Sequence, residues 1–121
     1  PLAIARPAMR TLLVDSRERR HHFQRAAIRA LEIQNVRALR GRIEQLVPEP
    51  AQVAIAQAVA TPSAVLEAML PWAEPGGWVV IPGSETPPDP GDHPQLIQAD
   101  VLRYRAPLDG PQRTLWIGKR R

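Results

Sequence analysis

Short apolar runs alternate with segments of helical period along the first two-thirds of this chain, and that alternation constrains the fold more than any other feature. After Arg10, the run TLLVDS favours β-structure and ends in an acid and a helix-capping serine, which predicts a strand and then a turn. The next segment has the period of a helix. Phe23, Ala26, Ala27, Ala30 and Leu31 are spaced as one buried stripe, Glu18, His22, Arg25, Arg29 and Glu32 share the opposite face, and Asn35 is expected to end the helix. Val36 to Leu39 reads as a second strand, Gly41 to Leu46 as a turn leading into one helical turn, and Gln52 to Ala58 as a third strand. A helix capped by Thr61, with Pro62 at its first position, is expected to turn Val65, Leu66, Met69 and Leu70 inward and to run to about Trp72. Pro75-Gly76-Gly77 then stops the connection, and Trp78 to Ile81 is a fourth strand, apolar throughout as in a sheet covered on both faces. Strands joined in this way by crossover helices lie parallel, so the expected class is a layered α/β fold.

The last third reads differently. Ser84 to Pro94 contains Pro87, Pro88, Pro90 and Pro94 together with Gly91, and is expected to be a surface loop over residues 84–94. Leu96 to Arg105 and Arg113 to Ile117 read as two strands joined by Pro107-Leu108-Asp109-Gly110, giving a closing antiparallel hairpin. There is no internal repeat, and 121 residues suit a single domain over 1–121.

Composition removes several classes of function. With no cysteine there can be no disulfide, iron–sulfur cluster, zinc ribbon or thiol nucleophile, which fits a cytoplasmic protein. The longest apolar runs fall far below the roughly 20 residues that a membrane helix needs, and no segment has the pattern of a signal peptide. No metal site is expected, because His21 and His22 are adjacent on a helix, about 100° apart, and His93 lies in the proline loop. Ser63 and Ser84 lack a nucleophile elbow, and neither a phosphate loop nor a GxGxxG turn is present. Trp72, Trp78 and Trp116 read as packing residues rather than base-stacking platforms. The net charge of +4 is ordinary, but the cations cluster: Arg17, Arg19, Arg20, Arg25 and Arg29 along one segment, then Arg37, Arg40 and Arg42, then Lys119, Arg120 and Arg121. Such clusters suit a polyanionic partner such as RNA, and a solvated helix face explains the first of them equally well.

Four segments taken in order resemble the C-terminal two-thirds of the RsmG (GidB) family, which methylates N7 of a guanine in bacterial small-subunit (16S) ribosomal RNA. PLAIARP is similar to the helix after that family's glycine-rich loop. TLLVDSRERRHHFQRAAIRALEIQNVRALRGRIEQL is similar to its second strand through its third strand and Gly-Arg-x-Glu turn. EAMLPWAEPGGWVVIPG resembles its next helix and strand, and APLDGPQRTLWIGK its closing hairpin. The resemblance implies a Rossmann-like methyltransferase sheet, mostly parallel with an antiparallel C-terminal hairpin, that binds S-adenosylmethionine (SAM) at the carboxyl ends of its strands. Asp15, at the end of a strand, is placed to accept hydrogen bonds from the two ribose hydroxyls, although it could also simply cap the following helix. By the same resemblance Ile43, through its backbone, and Glu44, through its carboxylate, would lie beside the adenine, although a solvated turn with an ordinary first-turn acid explains them equally well, and Gln57 would border the cofactor. The basic cluster of Arg17, Arg19 and Arg20 is assigned to the RNA backbone.

Three departures from the family pattern bear on activity. The glycine-rich loop and first strand would precede Pro1 and are expected to be missing from this chain, leaving the facing edges of the second and fourth family strands unpaired. The family's Ser-Arg-Ala reads Ala56-Gln57-Ala58, and its Leu-Lys-Gly reads Ile81-Pro82-Gly83, so two cations are lost from one cleft. The chain is therefore expected to be a SAM-dependent rRNA methyltransferase that is incomplete. The alternatives are a non-catalytic RNA- or protein-binding module, including a homodimer closed through the unpaired strand edges, and a methyltransferase-like domain with a changed substrate. Guanine N7 carries no proton, so its methylation needs positioning and no general base, and the lack of a catalytic dyad is neutral.

Overall fold

In the computed structural model, which describes residues 2–57, 62–83, 93–105 and 107–121, the chain divides into two compact units, Pro1–Val47 and Pro48–Arg121. The first contains α1 (Leu2–Ala5), β1 (Thr11–Asp15), α2 (Glu18–Ala30) and β2 (Val36–Arg40). The strands β1 and β2 pair in parallel, Thr11 opposite Val36 through Asp15 opposite Arg40, and α2 is the crossover between them. Glu18 in the first turn of α2 and Arg29 in the last both oppose the helix dipole.

The helix ends five residues earlier than Asn35. Leu31 is its C-cap, Glu32 takes a left-handed φ of 52°, and the amides of Glu32 and Ile33 donate to the carbonyls of Arg29 and Ile28 at 3.2 and 3.0 Å. This is a Schellman motif with glutamate where glycine is usual. Asn35 serves elsewhere, since its side-chain amide donates to the carbonyls of Ala3, Arg6 and Met9 and so ties α1 and the following turn to the start of β2. The face that α2 turns toward its strands is also not the expected one. Phe23 and Leu31 are 74% and 62% exposed, and Ala26 and Ala30 are exposed too, whereas His21, Gln24, Ala27 and Ile28 are half-buried. Two strands offer a narrow floor, wide enough for one stripe of a helix, and the neighbouring apolar stripe has nothing to lie on within the unit.

The second unit contains β3 (Ala51–Ile55), α3 (Pro62–Met69), a 3₁₀ turn (Leu70–Trp72), β4 (Ala73–Pro82), β5 (Leu96–Arg105) and β6 (Gln112–Arg120). Its sheet order is β3-β4-β6-β5, with β3 parallel to β4 and the other pairs antiparallel, so the expected hairpin of β5 and β6 is present. The expected cap Thr61 and most of the 84–94 loop lie outside the described residues. Pro75-Gly76-Gly77 does not end the connection but sits inside β4, where Ala73 to Trp78 spans the stretch opposite Ala51 to Val53 as a bulge. Gly77 permits it, since a Cβ there would lie 2.8 and 2.9 Å from the carbonyl oxygens of Glu74 and Gln52.

The core of this unit lies on one face of the sheet, where Val79, Ile81 and Trp116 meet Leu66, Met69 and Leu70, all of them buried. Trp116 crosses directly over Gly118. The opposite face is more open than a doubly covered sheet: Trp78 and Val80 are half-buried and Val53 and Ile55 are exposed. Among the described residues β1 pairs with β2 alone and β3 with β4 alone. Each therefore has one edge without a ladder partner among the described residues.

Candidate functional site

The carboxyl ends of parallel strands are where ligands bind in open α/β sheets. In the first unit that rim carries Asp15, the last residue of β1, and the turn Gly41–Leu46 that leaves β2. The two are joined through the main chain, because the amide of Gly41 donates to the carbonyl of Asp15 at 3.0 Å. Gly41 is held at φ +150° with the side chain of Leu46 packed against its Cα, so a Cβ there would lie 2.8 Å from a leucine methyl. The amides of Gln45 and Leu46 donate back to the carbonyl of Arg42, closing one helical turn that carries Ile43 and Glu44. Ile43 is half-buried and Glu44 exposed.

Asp15 is well enclosed for a carboxylate, its side chain 18% exposed. Its Oδ1 accepts the amide proton of Arg17 at 2.8 Å, whereas Ser16, the expected helix cap, makes no such bond: the N-cap of α2 is Arg17, without a side-chain cap. Oδ2 lies 3.9 Å from Nη1 of Arg20. A carboxylate has about four acceptor positions, so these contacts leave capacity for hydroxyl donors on the solvent side. Arg17 and Arg19 are exposed, and the side chain that neighbours Asp15 is that of Arg20, which spacing alone did not single out. A second ion pair, Arg40 to Glu18 at 3.9 Å, joins the end of β2 to the start of α2.

Gln57 belongs to the second unit. It is exposed and follows β3 at the carboxyl end of that strand, just after Ala56, whose amide donates to the carbonyl of Val80 at 3.1 Å. The terminal cations are engaged within the protein. Nζ of Lys119 sits 5.4 Å above the ring of Trp78, Arg120 donates to the carbonyl of Ala73, and Arg121 donates through Nε to the carbonyl of Pro94 at 3.0 Å. Among the described residues no three acids or histidines come together as a metal site, and no helix is long and apolar enough to cross a membrane. A shallow depression of about 470 Å³ between α1 and the end of α2, lined by Ile4, Leu31 and Asn35, lies at the amino ends of β1 and β2, away from Asp15.

Known proteins are similar to this chain in sequence and in fold. The chain is 33% identical over 85 residues to the ribosomal RNA small subunit methyltransferase G of Lachnoclostridium phytofermentans, a match that takes in 66% of this chain and 35% of that protein. It thus spans about a third of the length of the curated relatives that it matches. Among solved structures it is similar to an rRNA methylase from Streptococcus thermophilus, with a TM-score of 0.61 at 20% identity over 93% of this chain and 74% of that one. It is also similar to M. jannaschii TYW2 in complex with AdoMet, with a TM-score of 0.73 at 14% identity over 98% of this chain and 61% of that one. These likenesses give the Rossmann-like methyltransferase fold, and the family model for rRNA small subunit methyltransferase G matches residues 1–102. The chain belongs to the rRNA small subunit methyltransferase G (GidB) family.

Proposed function

We propose that this chain is the cofactor- and RNA-facing part of a SAM-dependent methyltransferase domain that acts on guanine N7 of 16S rRNA in the cytoplasm. The observation that carries the reading is the enclosed carboxylate of Asp15 beside the Gly41–Glu44 turn, on the carboxyl rim of a parallel strand pair in a chain of this family. Asp15 fits a ribose: its Oδ1 is fixed by the Arg17 amide, which aims the remaining acceptor positions outward for vicinal hydroxyls. The backbone of Ile43 lies beside the adenine, and the exposed carboxylate of Glu44 offers an acceptor for its exocyclic amine. Gln57 offers an amide at the end of β3, where it orients without adding charge.

SAM supplies an activated methyl group on a sulfonium. The protein's share is positioning. Since N7 needs no deprotonation, Asp15, Ile43 and Glu44 act by holding one reactant, and Arg17 and Arg19 by holding the phosphates of the other, so that attack is in line. Arg20, 3.9 Å from Oδ2 of Asp15, offsets part of the charge of that carboxylate. The lost cations at Gln57 and Pro82 favour a second reading, a non-catalytic RNA-binding module.

Calorimetric titration of SAM, and of its demethylated product, into the chain separates the two. Binding in the micromolar range that weakens about 10- to 100-fold in Asp15→Ala supports the enzyme reading, since hydrogen bonds to charged groups contribute about 1.5–3 kcal/mol. Absence of binding at millimolar ligand overturns it for this chain and leaves the module.

A further inference from the structure

The distal end of the hairpin formed by β5 and β6 extends past the rest of its sheet. β4 ends at Pro82, opposite Leu115, and the last tie from that strand is the amide of Gly83 donating to the carbonyl of Thr114 at 2.8 Å. Beyond this point Arg103, Tyr104 and Arg105 pair only with Thr114, Arg113 and Gln112. Three residues of strand on each side reach on the order of 10 Å, before the turn is added. The direction of the overhang matters. β4 runs toward Pro82, so the hairpin projects from the carboxyl rim of the parallel pair β3 and β4, the same rim on which Gln57 lies.

This overhang has an unusual surface. Tyr104 and Arg113 are directly opposite each other and so share one face; Arg103 and Arg105 occupy the other. All four are exposed, Tyr104 by 48%. At the tip Leu108 and Asp109 take left-handed φ values of 62° and 55°, and Leu108 is 99% exposed. A projecting two-stranded ribbon with no core is marginal by itself, and three arginines on it repel one another. Nothing in the fold needs a tyrosine ring, an exposed leucine and three cations there. An exposed aromatic ring with one guanidinium opposite it on the same face, and two more cations along the reverse face of a narrow ribbon, suits a single-stranded nucleic acid that wraps the ribbon: bases stack on the ring, and phosphates pair with the cations on both faces.

We propose that the distal β5–β6 hairpin is an RNA-binding arm, with Tyr104 as a stacking platform and Arg103, Arg105 and Arg113 as phosphate contacts, that holds unpaired nucleotides of the substrate over the carboxyl rim. The choice of RNA among polyanions rests on the methyltransferase reading above, and the arm adds to that reading a surface distinct from Arg17, Arg19 and Arg20.

The test is fluorescence anisotropy of a labelled 15-nucleotide oligouridylate with the whole chain, without SAM, at several salt concentrations. Replacing Arg103, Arg105 and Arg113 together by Gln is expected to weaken binding at least tenfold at about 0.1 M salt. It should also flatten the slope of log K against log salt by about 2, as loss of three contacts to a single strand requires. Tyr104→Ala is expected to weaken binding about 5- to 100-fold at unchanged salt slope, and Tyr104→Phe to restore it. Thermal midpoints of the variants show that each is folded, and Tyr104→Phe, which keeps the ring, guards against a folding defect. Wild-type affinity and slope in the triple variant, equal loss in Tyr104→Phe and Tyr104→Ala, or no RNA binding by the unmodified chain would each overturn the proposal. Because SAM is absent, failure here is distinguishable from failure of the cofactor titration.

Discussion

Gly118→Ala tests the packing of the second unit most directly. Gly118 lies in the middle of the sheet, opposite Val79 on β4 and Ala99 on β5, and the indole of Trp116, itself wholly buried, lies across it. A methyl group there would overlap Cη2 of the ring outright and would sit 2.9 and 3.0 Å from Cζ3 and Cζ2. Carbon atoms prefer about 3.5–4.0 Å, so the ring must move by on the order of 1 Å within a packed interior. Overpacking of this kind costs about 1–3 kcal/mol, and the smaller chain entropy of alanine in the unfolded state returns at most about 1 kcal/mol. The expected net loss is about 1–2 kcal/mol. All three tryptophans, Trp72, Trp78 and Trp116, belong to this unit, so urea unfolding followed by tryptophan fluorescence reports on it alone. With an m-value of about 1 kcal/mol/M, the midpoint should fall by about 1–2 M. In a Trp116→Leu background the same Gly118→Ala change should cost almost nothing, giving a coupling close to the full loss. An unchanged midpoint, or an equal loss with Leu at 116, would refute the steric argument.

Other substitutions separate packed residues from exposed ones. Leu66→Ala, at a fully buried position, should lose about 2–5 kcal/mol in the same assay, whereas Phe23→Ala should change the stability of the first unit, followed by far-ultraviolet circular dichroism, by no more than about 0.5 kcal/mol. Glu32→Gly should stabilise the first unit by roughly 1 kcal/mol, since it relieves a left-handed glutamate while keeping both Schellman bonds, and a drop in its thermal midpoint would contradict that reading.

The elements were legible in the sequence where period and punctuation agreed. The strands of TLLVDS and Trp78–Ile81, the crossover helix between β1 and β2, and the hairpin around Pro107–Gly110 follow from local pattern. The buried face of α2 did not, because periodicity defines a stripe and only the neighbouring strands decide which stripe is covered. Periodicity pointed to the stripe of Phe23, and the two-stranded floor instead covers the neighbouring one that includes His21. The helix stop was missed for a related reason: Glu32 carries no glycine or asparagine signal, and the asparagine at 35 is used to hold carbonyls of the α1 segment. Pro75-Gly76-Gly77 looked like a boundary, yet Gly77 lets two carbonyls approach closely enough for the strand to continue. At the candidate site, an acid at a strand end pointed to Asp15, but its contact with Arg20, five residues on, needs the exact turn into α2 and cannot be read from spacing.

The open edges of β1 and β3 also bear on how the protein behaves in bulk. A row of unmatched amides and carbonyls is a template for any extended chain, including another copy of itself. β3 is guarded on its approach by Pro48 and Pro50, and β1 is flanked by Arg10 and Arg17, so both carry gatekeepers against templated stacking. Beyond these, the main barrier is the repulsion of a net charge of +4, whose range shrinks from about 10 Å at 0.1 M salt to about 3 Å at 1 M. Colloidal stability is therefore governed by ionic strength as much as by fold, and dilute, low-salt solution is the regime in which separate copies stay apart.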